Sequence, residues 1–190
     1  LNAMSDLDAL EKAERLAYAA FESAAKIISK KRLEASPRLG LAITSAMQEL
    51  GMKGGKFEVA LTKLDAPAAH GLESAEFLVA GHAGTTPKPV GKVASGGELS
   101  RIALAIAVTT SKLGNAPTLI FDEVDSGIGG ATAQTVGRLM QQLGADRQVL
   151  AVTHLPQVAA CAHHHGVVSK AASANSDGLE ANTGAPSSRI

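Results

Sequence analysis

The chain has no excess charge, since 18 Lys and Arg balance 18 Asp and Glu over 190 residues. A neutral chain has no global field to hold it on nucleic acid or an anionic membrane, so any such contact is local or lies elsewhere. It has one cysteine, Cys161, which excludes an internal disulfide. Set in Ala-Ala-Cys-Ala, Cys161 reads as a small buried side chain rather than a nucleophile. Tryptophan is absent and aromatics make up 3% of residues, so any core must be aliphatic. The longest apolar run, Ile102 to Val108, is far too short to cross a bilayer, and no basic-then-apolar leader stands at Leu1. These absences predict a reducing, cytoplasmic setting away from membranes. At 45% hydrophobic, the chain suffices for one domain of ordinary size plus an appendage.

What is present is periodic. Leu7, Leu10, Ala17, Phe21, Ala24 and Ile28 fall on a three-four spacing behind Ser5 and Asp8, which predicts an amphipathic helix over about residues 5–33. Glu14 and Lys31 occupy core slots of that frame, so the helix is either the frayed end of a coiled coil or a helix laid on a globular head. Ser36-Pro37 predicts the cap and first turn of a second helix with Leu39, Ile43, Ala46, Met47 and Leu50 on its face, ended by Gly51. Phe57–Leu61 and Ala75–Ala80 read as paired strands joined by the turn-rich Asp65–Gly71, and Gly81–Pro89 as a loop.

From Gly96 the pattern predicts a helix to Leu113, a strand at Thr118–Phe121, a helix over Ala131–Leu143, a strand at Val149–Val152, a short helix after Pro156 and a last strand near Val167. Short apolar strands alternating with helices predict an α/β fold with a mostly parallel sheet, its active residues at the carboxyl ends of the strands. From Ala171 the composition loses periodicity and reads as a flexible tail.

Three motifs carry chemistry. Ser95, Gly96, Gly97 and Glu98 open a helix whose predicted buried face is Leu99, Ile102, Ala103 and Ile106. Its free amides and positive end favour a phosphate, and the glycines permit close approach. Alone, Ser-Gly-Gly is equally well a simple turn. Asp122 and Glu123 end an apolar strand in the Walker B arrangement, one acid for a magnesium ion and one for the attacking water. The following Asp125 and Ser126 read either as a loop that contacts a partner subunit or as a turn capping the next helix. His154 stands at the end of the next strand, where it can donate to a terminal phosphate.

Two other groups read as bland. His163, His164 and His165 cannot all face one metal ion on a regular element. Lys26, Lys30, Lys31, Arg32 and Arg38 form a local basic cluster that reads as a solvated helix face.

No G-x-x-x-x-G-K-[ST] phosphate loop occurs, and Gly84–Val93 has the wrong glycine spacing. The chain is therefore expected to be one lobe of a larger ATPase, inactive alone, and its opening on Leu1 agrees with that expectation.

Lys92–Arg101 (K-V-A-S-G-G-E-L-S-R), Ile120–Gly130 (I-F-D-E-V-D-S-G-I-G-G) and Val152–Ala160 (V-T-H-L-P-Q-V-A-A) together resemble the RecN family, the bacterial SMC-like ATPases of DNA double-strand-break repair and recombination. The resemblance covers about Leu1 to Lys170. It implies an ABC/SMC-type ATPase head lobe of the P-loop NTPase superfamily, preceded by the end of a coiled coil. The divisions are then 1–34 for the coiled-coil end, 35–170 for the carboxyl-terminal lobe and 171–190 for the tail. It further implies ATP and Mg2+ as ligands, with Ser95, Gly96, Gly97 and Glu98 gripping ATP on a second head. Asp122 would serve magnesium, Glu123 would be the catalytic base, His154 the switch, and Asp125 would couple the two sites across the dimer. The implied partners are the amino-terminal lobe of the same head, a second head in a homodimer and, through the full-length parent, DNA. The implied location is the bacterial cytoplasm, in association with the nucleoid. Two other readings compete: a non-catalytic module for dimerisation or DNA docking, which Glu123 disfavours, and a fragment of an ABC transporter nucleotide-binding domain, which the Thr-His-Leu-Pro-Gln segment disfavours.

Overall fold

A computed structural model describes residues 2–93, 95–111, 113, 114, 116–170, 188 and 189. One helix, α1 (Asn2–Glu49), runs through both predicted helices. At ~1.5 Å per residue its 48 residues extend roughly 70 Å. Pro37 lies inside it rather than opening a second helix. Proline removes one helical donor, but the apolar line through Ile43, Met47 and Leu50, all buried, holds the following turns on the core. Ser36 turns back instead of capping, its Oγ donating to Arg32 O at 2.7 Å.

The exposed and buried parts of α1 divide its roles. Leu7, Leu10 and Leu16 stand in solvent, whereas the buried line begins near Ala25. That line passes through Ala25 rather than the predicted Ala24 and Ile28, which are exposed.

Strands β1 (Lys56–Ala68) and β2 (Gly71–Ala80) form an antiparallel hairpin against α1, with Phe57 opposite Val79 and Val59 opposite Phe77. Both outrun their predicted limits, and Asp65–Ala68 is strand rather than turn. The regular register is broken between Lys63 and Ala68, and Pro67 falls within that irregular stretch, where a missing amide costs no ladder bond. Short β3 (Lys88–Pro89) adds to β2 and forms the end of the predicted loop. The start of β1 is fastened to α1: Phe57 N donates to Thr44 Oγ1 at 2.9 Å, and Gln48 bridges the turn before it through Gly54 N and Gly55 O, both at 2.8 Å.

The second half follows the predicted alternation. α2 (Gly96–Thr109) leads to β4 (Thr118–Phe121), α3 (Gly130–Leu143), β5 (Gln148–Ala151) and the single turn α4 (Pro156–Ala159). β4 and β5 are parallel, Phe121 opposite Ala151. The parallel sheet has two strands among the described residues, and the antiparallel hairpin forms a separate sheet. α2 ends before the predicted Leu113. Its buried line is Gly97, Arg101, Ile102, Leu104 and Ala105, so the expected Leu99 and Ala103 lie outside, because the helix turns its small and basic side toward the loop after β4. One mainly aliphatic core joins Ile43 and Met47 of α1, and Leu50 just after it, to Ile102, Leu104, Phe121, Val136 and Met140.

The predicted last strand appears as β6 (Ser169–Lys170), paired with β7 (Ser188–Arg189). The rest of the predicted tail, residues 171–187 and 190, lies outside the described residues. Among those described, no helix is long and apolar enough to cross a membrane.

Candidate functional site

The chain leaves β4 at Phe121 and turns sharply over Asp122–Gly129. Glu123 has φ 55°, the only non-glycine in the left-handed region among the described residues. Such a conformation costs about 1–2 kcal/mol. It is held by Glu123 N donating to Asp122 Oδ1 at 2.9 Å and by Ser126 N donating to Glu123 O at 3.0 Å. As a result Asp122 and Glu123 remain exposed at the strand end while Val124 and Asp125 go inward.

The amino terminus of α2 is fastened to this turn. Ser95 caps the helix, its Oγ accepting from Glu98 N at 3.3 Å. A Cβ on Gly96 would collide with the Glu123 carboxylate, and one on Gly97 would come within 2.9 Å of Ser126 Cβ. Ser100 Oγ donates to Asp122 O at 2.6 Å, and Arg101 Nη1 donates to Ser126 O at 2.7 Å. Arg101 is buried; burial lowers its pKa, opposed by nearby Glu98. Glu98 itself reaches His82 Nε2 at 3.2 Å, on the loop after β2.

Asp125 closes the cluster. Its Oδ2 accepts from the Thr153 hydroxyl, from His154 N at 3.1 Å and from Leu155 N at 3.3 Å. Burial pushes its carboxyl pKa up, yet the Thr153 hydroxyl and the His154 amide outweigh burial and hold it below the ordinary 3.8. The exposed His154 ring has Nδ1 3.5 Å from the same oxygen.

Ser95–Glu98, Asp122, Glu123, Asp125 and His154 are thus drawn into one cluster at the carboxyl end of β4 and β5. Asp125, expected at a subunit contact, is instead 2% exposed and engaged within its own chain. Neither it nor Ser126 caps α3, whose N-cap is Gly129. Cys161 is half-buried, its Sγ filling the space a Cβ on Gly137 would need. The basic cluster is divided, with Lys26 paired to Glu22 at 2.8 Å and Arg32 turned onto the hairpin. Sequence reasoning passed over Ser100, Arg101 and Thr153. Each lies inside one of the motif segments that carry the resemblance, which is the signal that could have found them.

The residues fit a nucleotide-borne magnesium ion. Among the described residues no group of three or more His, Cys, Asp or Glu could hold a metal alone. An exposed Asp122 at a strand end matches an ion held mainly by phosphates and one or two carboxylates.

No protein-family model matches the chain. Over 152 residues, 79% of its length, it is 47% identical to the DNA repair protein RecN of Xylella fastidiosa. It is 45% identical over 158 residues to the DNA repair protein RecN of Haemophilus influenzae. The chain belongs to the RecN family. It spans about a quarter of the length of these RecN relatives, 27% and 28%. The Smc head domain with a coiled coil and joint from Pyrococcus yayanosii shares its fold, with a TM-score of 0.58 at 23% identity over 84% of this chain and 29% of that one. The chain therefore has the fold of an SMC-type head lobe.

Proposed function

We propose that the chain is the carboxyl-terminal lobe of an ATPase head in a DNA repair protein. Residues 1–34 would be the end of a coiled coil, 35–170 the lobe and 171–190 a tail. The observation that carries this reading is the cluster at the β4–β5 strand ends, where the capped start of α2, the Asp122–Glu123 pair and the Asp125–His154 pair form one hydrogen-bonded unit. The names of the RecN relatives support repair as the setting.

In this reading the Ser95 hydroxyl and the amides of Gly96, Gly97 and Glu98 grip the terminal phosphate of ATP carried by a second head. Asp122 holds magnesium, which when bound neutralises charge on the phosphates. Glu123 orients the attacking water and takes its proton on the carboxylate. His154 donates a hydrogen bond to the terminal phosphate and so registers its loss.

The amino-terminal lobe of the same head, which would bring the phosphate loop, covers the outer face of the β4–β5 sheet. Ile120, Leu150 and Val152 stand exposed there, whereas parallel sheets are ordinarily covered on both faces. DNA is engaged through the full-length protein, in the bacterial cytoplasm at the nucleoid.

The test is magnesium-dependent ATP hydrolysis by the chain alone and after addition of the amino-terminal half. Turnover is expected only in the mixture, rising more than linearly with concentration, and Glu123→Gln abolishes it while ATP still binds. Turnover by the isolated chain would overturn the reading.

A further inference from the structure

Arg101 and Asp125 are the buried charged side chains among the described residues. Arg101 donates from Nη1 to Ser126 O while its buried Nε has no partner, and the Asp125 carboxylate has a placement that the resemblance does not explain. Its Oδ2 gathers donors from three consecutive residues, the Thr153 hydroxyl and the amides of His154 and Leu155. Those residues form the turn from β5 to α4, which is held besides by Leu155 packing against the core but has few backbone bonds of its own. The sheet's last bond there is Val152 N to Phe121 O at 3.0 Å, and the next backbone bond runs from Val158 N to Leu155 O at 3.1 Å. Between them the amides of His154 and Leu155 both point at Asp125, and the α4 N-cap, Leu155, has no side-chain cap. Thr153 Oγ1 reinforces the turn by accepting from Leu155 N at 3.1 Å.

The His154 ring is 72% exposed and has Nδ1 3.5 Å from the same Asp125 oxygen, so its reach is set by the backbone that carries it and by the carboxylate beside it. A carboxylate accepting several hydrogen bonds in a buried site is a stiff fastening, because releasing it strands a charge away from water. Exposed by only 2%, Asp125 presents nothing to a second head unless it first leaves its three donors.

We propose that Asp125 is a positioning residue that acts within its own lobe, clamping the Thr153–Leu155 turn so that the His154 imidazole is held at the end of the β4–β5 sheet. The clamp also joins His154 to the start of α2, since Arg101 holds Ser126 O next to Asp125. A displacement of the helix that grips a phosphate on one head is thereby passed to the switch histidine of the same head. This deepens the reading of His154 given above and rests on it.

The test uses the full-length protein and two readouts. The first is amide hydrogen exchange at His154 and Leu155 without nucleotide, which does not depend on hydrolysis. Asp125→Ala is expected to accelerate exchange at both amides by about tenfold or more, with Thr153→Val intermediate. The second is steady-state hydrolysis: Asp125→Ala lowers kcat by about tenfold or more at unchanged KM for ATP, and costs little further in a His154→Ala background. Unchanged exchange at the two amides overturns the proposal, as does a full additional loss of kcat on top of His154→Ala. Accelerated exchange in Asp125→Ala beside wild-type turnover in His154→Ala would leave the clamp standing and overturn the role given to His154. Should Asp125→Ala fail to fold, Asp125→Asn and Thr153→Val weaken the same clamp and are read in the same way.

Discussion

Gly97 has no room for a side chain. A Cβ there would lie 2.9 Å from Ser126 Cβ, 3.1 Å from Ser126 O and 3.2 Å from Glu123 O, so backbone as well as side chain would have to move. Gly97→Ala is expected to lower stability by about 1–3 kcal/mol, measured as a drop in the urea midpoint at constant slope. Asp125 gives a pH signature. Its folded pKa lies below the ordinary 3.8, so its contribution to stability is complete above that value and is lost as pH falls through the lower folded one. The stability gap between wild type and Asp125→Asn, measured by thermal unfolding, is therefore expected to be wide at pH 7 and to narrow below pH 3.8. Glu98, Asp122, Glu123 and His154 were legible as candidate site residues because their side chains carry the chemistry that each short motif suggests. Thr153 and Arg101 were not, because their roles arise from a turn and a helix meeting across 25 or more residues of sequence.

The elements respond to packing as much as to local preference. Pro37 sits within α1 and removes one helical donor, at a local cost of about 3 kcal/mol in a helix interior. Pro37→Ala is accordingly expected to raise stability by up to about 3 kcal/mol, seen as a higher unfolding midpoint. An unchanged or lowered midpoint would mean that the surrounding turns rely on proline's restricted backbone. The sequence pattern located α2, β4, α3 and β5 well, because apolar periodicity and strand-ending acids are local signals. It broke α1 in two and shortened the hairpin for the same reason, reading proline and turn residues without the surface they pack on. Arg32 shows that surface: from α1 it donates to His70 O at 2.9 Å and to Glu73 O at 3.4 Å, and lies 3.6 Å from Glu73 Oε2, pinning the hairpin tip to the helix.

At the scale of the whole molecule, the parallel sheet is covered on one face only among the described residues. Leu119 and Val149 pack toward the core, while the register partners Ile120 and Leu150 face outward, Ile120 with 71% of its surface exposed. Fully burying such a side chain stabilises by about 1.5–3 kcal/mol. Ile120→Glu is expected to weaken association with the amino-terminal half by about tenfold or more, as measured by isothermal titration, while leaving the fold of the chain intact. Undiminished affinity would mean that the amino-terminal half sits elsewhere.

The sequence by itself determined the motifs, their order along the chain, the alternation of strands and helices after Gly96, and membership of the RecN family. These are local patterns that survive without a partner surface. Only the tertiary structure decided that α1 is one helix, that α2 turns Arg101 rather than Leu99 inward, and that Asp125 faces the Thr153–Leu155 turn of its own lobe. Each of these depends on which surface meets which, and a buried charge goes where its donors converge, a condition set by residues distant in sequence.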